Sequence, residues 1–167
     1  DLMKEDALAF KNRFERITFG DPLLTTQQDH VEIVNAICQE FSNLPADCAL
    51  ILMGHGTSHY ANDVYAALDY RFKDLGFSNI HLATVEGYPT LENVTRMVKE
   101  QEAKKVILAP FMIVAGDHAR NDMSGDDEDS WKNQFRAAGY DVECRMKGLG
   151  EYPAIQDMLI RHVTEVC

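Results

Sequence analysis

The chain is predicted to be an α/β protein built on a parallel four-stranded sheet flanked by helices. Short β-branched and apolar runs alternate with longer segments whose apolar residues recur at helical spacing, the pattern of parallel strands joined by helices. Two of the runs, 49–53 and 106–114, are almost wholly apolar, as strands buried on both faces should be. With 167 residues, 46% hydrophobic and 26% charged, the composition is that of one globular unit with a real core.

Taken in order, Leu2 to Phe14 has a helical pattern and Arg16 to Phe19 that of a short strand; Gly20-Asp21-Pro22 then leads to a capped helix from about Thr26 to Phe41. One strand separated from the rest by a long helix looks like the tail of an upstream α/β unit. Residues 1–43 are therefore expected to be the remnant of an upstream half plus a linking helix, and 44–167 a C-terminal metal-binding domain. Its strands are expected at Ala49 to Met53, Ile80 to Val85, Val106 to Val114 and Val142 to Met146. The helix from Tyr60 to Leu75 carries Val64, Tyr65, Leu68 and Phe72 on one stripe and stops at Gly76. Leu91 to Gln101 carries Val94, Met97 and Val98, Trp131 to Ala138 ends at Gly139, and Pro153 opens a last helix with Ile155, Met158, Leu159 and Val163.

A formal net charge of −11 argues against nucleic acid, which is bound by neutralising phosphates with Lys and Arg. No apolar stretch approaches the roughly 20 residues a membrane span needs, and Asp1 to Asp6 is not a signal peptide. A cytoplasmic location without membrane contact is expected. Cys38, Cys48, Cys144 and Cys167 have no Cys-x-x-Cys spacing, which argues against structural zinc and a disulfide framework.

His55, Glu86 and His118 each stand at the downstream end of a separate apolar run. In an open α/β sheet those ends line the ligand crevice, so three metal-capable side chains are expected to converge at one edge. Two imidazoles and a carboxylate suit a divalent transition metal. Each residue also has a plainer reading. The turn Gly54-His55-Gly56-Thr57-Ser58-His59, with Ser58 as a helix cap, could be an anion-binding loop, and Glu86 before Gly87-Tyr88-Pro89 could satisfy helix amides. His118 lies in the dense polar cluster Asp117 to Met123, where Asp117 or Asp122 could orient an imidazole through its second N–H. His59 suits a solvated first turn, Glu151 reads as a carboxylate satisfying helix amides, and His30, His81 and His162 read as structural or surface residues. The acidic run Asp126 to Asp129 reads as favourable charge at a helix start. No nucleotide-binding fingerprint follows any strand.

Five phrases occur in order: Gly54 to His59, Val85 to Pro89, Val114 to Met123, Asp129-Ser130-Trp131-Lys132 and Gly148 to Glu151. Together they resemble the anaerobic sirohydrochlorin cobaltochelatases of cobalamin biosynthesis, within the class II tetrapyrrole chelatases, from about Phe14 to the C-terminus. The resemblance implies the second half of a two-domain chelatase fold facing a tetrapyrrole cleft, and a lyase that inserts Co²⁺ into sirohydrochlorin. It implies His55, Glu86 and His118 as metal ligands and His55 also as proton acceptor. Ser58, His59, Tyr88 and Arg120 are expected to contact the tetrapyrrole. No organic cofactor is expected, Fe²⁺ is the alternative metal, and a homo-oligomer is a possible assembly. The sequence departs from the family in lacking most of the first half, so a noncatalytic metal-binding module is the competing reading. Because sirohydrochlorin is polyanionic, Arg120, Lys132 and Arg136 are candidates for local positive charge.

Overall fold

A computed structural model describes residues 2–167; Asp1, at the head of the upstream segment, lies outside the described residues. Four parallel strands, β1 (Cys48–Gly54), β2 (Ile80–Thr84), β3 (Lys105–Pro110) and β4 (Asp141–Cys144), form one sheet in the order β2-β1-β3-β4. Around it lie α1 (Leu2–Leu8), α2 (Gln27–Glu40), α3 (Asp63–Asp74), α4 (Leu91–Glu100), α5 (Trp131–Ala137) and α6 (Pro153–Thr164). The α/β class and the four-stranded parallel sheet expected from the alternation are what the chain adopts.

Every residue of β1 is buried. Leu50 and Leu52 face a cluster with Ile33 and Ile37 of α2, Leu68 and Phe72 of α3, and Ile155 and Met158 of α6. Ala49, Ile51 and Met53 face the opposite cluster with Val94 and Val98 of α4 and Trp131 and Phe135 of α5. Each fully buried Leu, Ile or Phe contributes about 1.5–3 kcal/mol, so the two clusters supply most of the driving force for closing helices over both faces.

Local chemistry sets the helix ends. Thr26 and Asp29 form a reciprocal capping box at the start of α2, Thr90 and Asn93 another at α4, and the Ser130 hydroxyl caps α5. α3 stops where Gly76 takes a φ of +87°, with the Phe77 N–H reaching back to the Phe72 carbonyl. The outer edge of β2 is covered from α3: Asp69 accepts from the Leu82 N–H at 2.9 Å, and Lys73 donates to the Ile80 carbonyl at 2.6 Å. Its backbone groups are thus withheld from a further strand.

Three expectations are corrected. Arg16 to Phe19 is not a strand: among the described residues no other strand pairs with it, and the Arg16 guanidinium instead donates to the Val166 and Cys167 carbonyls. The helix expected from Leu2 to Phe14 ends at Leu8 and is followed by a single 3₁₀ turn at Lys11–Arg13. The third strand stops at Pro110 rather than Val114 because β1, its neighbour, ends at Gly54; the Met112 and Ile113 carbonyls accept from the Leu149 and Gly150 N–H groups instead.

Among the described residues no helix is long and apolar enough to cross a membrane.

Candidate metal centre

His55 follows β1, Glu86 follows β2, and His118 lies in the loop after β3, so all three leave the same edge of the sheet. The strand register explains the closeness of the first two. Gly54 pairs with Thr84, and the ladder continues past the strand ends as the Glu86 N–H donates to the His55 carbonyl at 2.9 Å. His118 comes from the other side of β1, since β3 pairs with β1 up to Pro110 opposite Met53.

One potential ligand atom from each of His55, Glu86 and His118 lies within 4.8 Å of the others. The two imidazoles stand edge to face with ring centroids 4.6 Å apart, and His55 Nδ1 is 3.9 Å from Glu86 Oε2. An ion about 2.0–2.2 Å from each ligand requires ligand atoms no more than about 4.4 Å apart, a spacing that a few tenths of an ångström of side-chain movement supplies from here.

The second nitrogen of each ring is already committed. His55 Nδ1 lies 2.9 Å from the Gly56 carbonyl, and His118 Nδ1 lies 2.5 Å from Asp122 Oδ2. A carbonyl and a carboxylate only accept, so both Nδ1 atoms carry a proton and, in the neutral ring, the lone pair is on Nε2. Metal-binding histidines need this arrangement. Of the two aspartates considered, Asp122 makes the contact; Asp117 is exposed. Asp122 reaches His118 from within a short π-helical turn, Ala119–Met123, closed by the Ser124 N–H bonding the Ala119 carbonyl. The four-residue spacing was visible in the sequence, but the π turn has no sequence signature of its own. If His55, Glu86 and His118 hold a divalent ion, Asp122→Ala is expected to weaken its binding by about 10- to 100-fold with the fold intact, read with Co²⁺ as the probe by visible absorbance titration alongside circular dichroism.

The remaining site residues lie on the same loops. Ser58 is exposed and does not cap the following turn; His59 does, its Nδ1 accepting from the Ala61 N–H at 3.2 Å. Its ring stacks on Tyr60 with centroids 4.1 Å apart. Tyr88 and Arg120 are exposed. Glu86 is not used for helix capping, because Thr90 and Asn93 perform it. Lys132 is engaged by the Ser124 carbonyl at 2.7 Å and Asp126 at 3.1 Å, whereas Arg120 is exposed two residues after His118. Glu151 is structural, accepting from the Gly148 N–H at 2.8 Å. His30, His81 and His162 are buried and bonded within the core, as expected.

A family model described as cobalt chelatase (CbiK) matches residues 1–167. The chain belongs to the cobalt chelatase (CbiK) family. The sirohydrochlorin cobaltochelatase of Salmonella typhimurium is 40% identical over 150 residues, covering 90% of this chain and 56% of that protein. The sirohydrochlorin cobaltochelatase CbiKC of Nitratidesulfovibrio vulgaris is 32% identical over 169 residues, covering 98% of this chain and 58% of that protein. The chain thus spans about half the length of the curated CbiK-family relatives it matches.

Among solved structures, the cobalt complex of the sirohydrochlorin chelatase SirB from Bacillus subtilis subspecies spizizenii superposes with a TM-score of 0.59. Identity is 14%, over 99% of this chain and 61% of that one. A multi-domain protein of Deinococcus radiodurans, described as structurally similar to chelatases, gives 0.54 at 18% identity over 80% of this chain and 29% of that one. These likenesses show that the CbiK-family chain has the chelatase fold.

Proposed function

We propose that His55, Glu86 and His118 hold the Co²⁺ that a lyase of cobalamin biosynthesis inserts into sirohydrochlorin, with residues 44–167 as the metal-binding domain and 1–43 as part of an upstream half and its linking helix. The observation that carries the reading is the convergence of three ligand atoms, one each from His55, Glu86 and His118, within 4.8 Å of one another. Insertion exchanges two pyrrole N–H protons for one divalent ion. His55 suits both halves of that exchange, because an imidazole accepts protons near neutral pH. With Nδ1 bonded to Gly56, its Nε2 can hold the ion or a proton but not both. Handing the ion to the macrocycle therefore creates the proton acceptor at the place where a proton is being lost, and the second proton passes to another ligand vacated in the same event.

Three protein ligands leave coordination positions open for incoming pyrrole nitrogens. Around them Tyr60, Tyr88 and Val114 expose apolar surface at the same edge, suited to the face of a planar ring. Ser58, His59, Tyr88 and Arg120 form the proposed tetrapyrrole contacts. Fe²⁺ accepts the same donors, and a ferrochelatase acting on sirohydrochlorin is the nearest alternative. A cytoplasmic location belongs to the same proposal; pairing of two copies to rebuild a two-half cleft is a variant of the reading in which this chain is a metal-binding module. Visible spectroscopy of sirohydrochlorin with each metal tests it: insertion accelerated by the full-length protein supports the reading, and no acceleration with any divalent ion refutes it.

A second reading, a metal-binding module without insertion activity, is favoured by one feature: all three ligands come from one sheet edge, so an ion can be held without a facing domain. Saturable Co²⁺ binding by this chain without accelerated insertion would support it.

Arg120→Ala is expected to weaken sirohydrochlorin binding about fivefold, the worth of one exposed ion pair of about 1 kcal/mol, while Co²⁺ affinity stays within about twofold. Fluorescence quenching titration reads the first and absorbance titration the second; equal effects on both would contradict the assignment of Arg120 to the substrate.

A further inference from the structure

Asn62 immediately precedes α3, where its side chain would ordinarily cap the helix, yet it makes no capping bond. It is buried, and its carboxamide is spent elsewhere. The oxygen accepts from the Thr57 N–H at 3.0 Å, and the nitrogen donates to the Tyr88 carbonyl at 2.7 Å. Thr57 lies two residues after His55, and Tyr88 two after Glu86. One side chain therefore ties together the two loops that carry two of the three proposed ligands.

The space around it leaves little freedom. Gly56 has a φ of +84°, and a Cβ there would lie 2.7 Å from the Gly87 nitrogen; a Cβ on Gly87 would lie 2.3 Å from Asn62 Oδ1. The loops thus touch backbone to backbone, with the strand ladder on one side through the Glu86 N–H to His55 carbonyl bond and Asn62 on the other. We propose that Asn62 is a positioning residue that sets the separation of His55 and Glu86 by latching Thr57 to Tyr88. This rests on the metal-site reading of His55, Glu86 and His118. The carboxamide suits the place because it supplies an acceptor and a donor on one short, flat group; an aspartate has no donor for Tyr88, and an alanine reaches neither loop.

The test titrates the full chain with Co²⁺ by visible absorbance. Asn62→Ala is expected to weaken binding by about 10- to 100-fold, as loss of support behind metal ligands does. In a Glu86→Ala background the same change is expected to cost no more than about twofold, since there is no separation left to set. Wild-type affinity in Asn62→Ala overturns the proposal, and so does a loss of equal size with and without Glu86, which is what a merely structural residue would give. Should Asn62→Ala fail to fold by circular dichroism, Asn62→Asp keeps an acceptor for Thr57 and replaces the donor to Tyr88 by a second acceptor. It is expected to bind about tenfold more weakly, and unchanged affinity there also overturns the latch. His118→Ala, on the third loop, reports the site independently. Binding lost in His118→Ala but normal in Asn62→Ala removes this inference alone. Binding that His118→Ala leaves untouched removes the metal-site reading and this inference with it.

Discussion

On the proposed function, replacing His55 by alanine is expected to abolish Co²⁺ insertion into sirohydrochlorin in the full-length protein, with a loss beyond what weakened metal binding explains. Removing a ligand lowers Co²⁺ affinity, and raising the metal concentration to saturation recovers that part. The remainder is the proton acceptor, which typically contributes about 10²- to 10⁴-fold. Glu86→Ala is the control, because it deletes a proposed ligand without deleting the His55 imidazole. Free imidazole in the buffer separates the two further. It is expected to restore part of the rate to His55→Ala, where a ring-sized space has been opened beside the metal, and none to Glu86→Ala. A His55→Ala enzyme that regains full rate at saturating Co²⁺ would show that His55 only holds the ion.

The convergence of these residues was legible because it depends on features that sequence displays well. Continuous apolar runs mark buried parallel strands, and the residue that ends each run must emerge at the same edge when the strands are parallel. His55 and Glu86 follow directly from that logic. His118 follows less directly, since the run before it leaves the sheet at Pro110 and reaches the site through a loop supported by Leu149 and Gly150. Periodicity alone cannot tell a strand from an apolar loop braced by distant backbone. The same limit applies to Arg16–Phe19, whose β-branched residues suit a strand but which has no pairing among the described residues. The supporting residues were the least legible. Asp122 was one of two aspartates at plausible spacing, and nothing in the stretch from Tyr60 to Leu75 sets Asn62 apart. Its bonds to Thr57 and Tyr88 depend on how two loops meet, which no local pattern encodes.

Asp29→Ala is expected to be the most damaging single change to the fold, lowering stability by about 3–5 kcal/mol, the usual loss when one member of a buried charged pair is removed. Asp29 is wholly buried at the start of α2. One carboxylate oxygen accepts from the Thr26 N–H at 3.0 Å; the other accepts from the His162 ring at 2.9 Å and the Arg161 guanidinium at 3.0 Å, both on α6. The second nitrogen of His162 lies 2.9 Å from the Asp21 carbonyl, so both ring nitrogens face acceptors and the imidazole is held as the cation. Burial by itself would raise the Asp29 carboxyl, but the bonds from His162, Thr26 and Arg161 outweigh it and hold the group far below the usual carboxylate range. The Asp21 carbonyl, and then Asp29, push His162 up.

The pH dependence follows from these two directions. Asp29, depressed in the native state, contributes stability that is present above its ordinary value of 3.8 and lost as pH falls toward the native value. His162, raised in the native state, contributes stability that is complete below its ordinary value of 6.5 and lost as pH rises through the native value. The gap in urea midpoint between the wild-type protein and Asp29→Ala is therefore expected to be widest between about pH 4 and pH 6.5 and to narrow on both sides. The network lies on α2 and α6, away from the three loops that carry His55, Glu86 and His118, so Co²⁺ affinity of the folded variant should match the wild type. A gap that narrows on neither side of that range would mean that Asp29 does not hold α2 to α6 through its ionised partners.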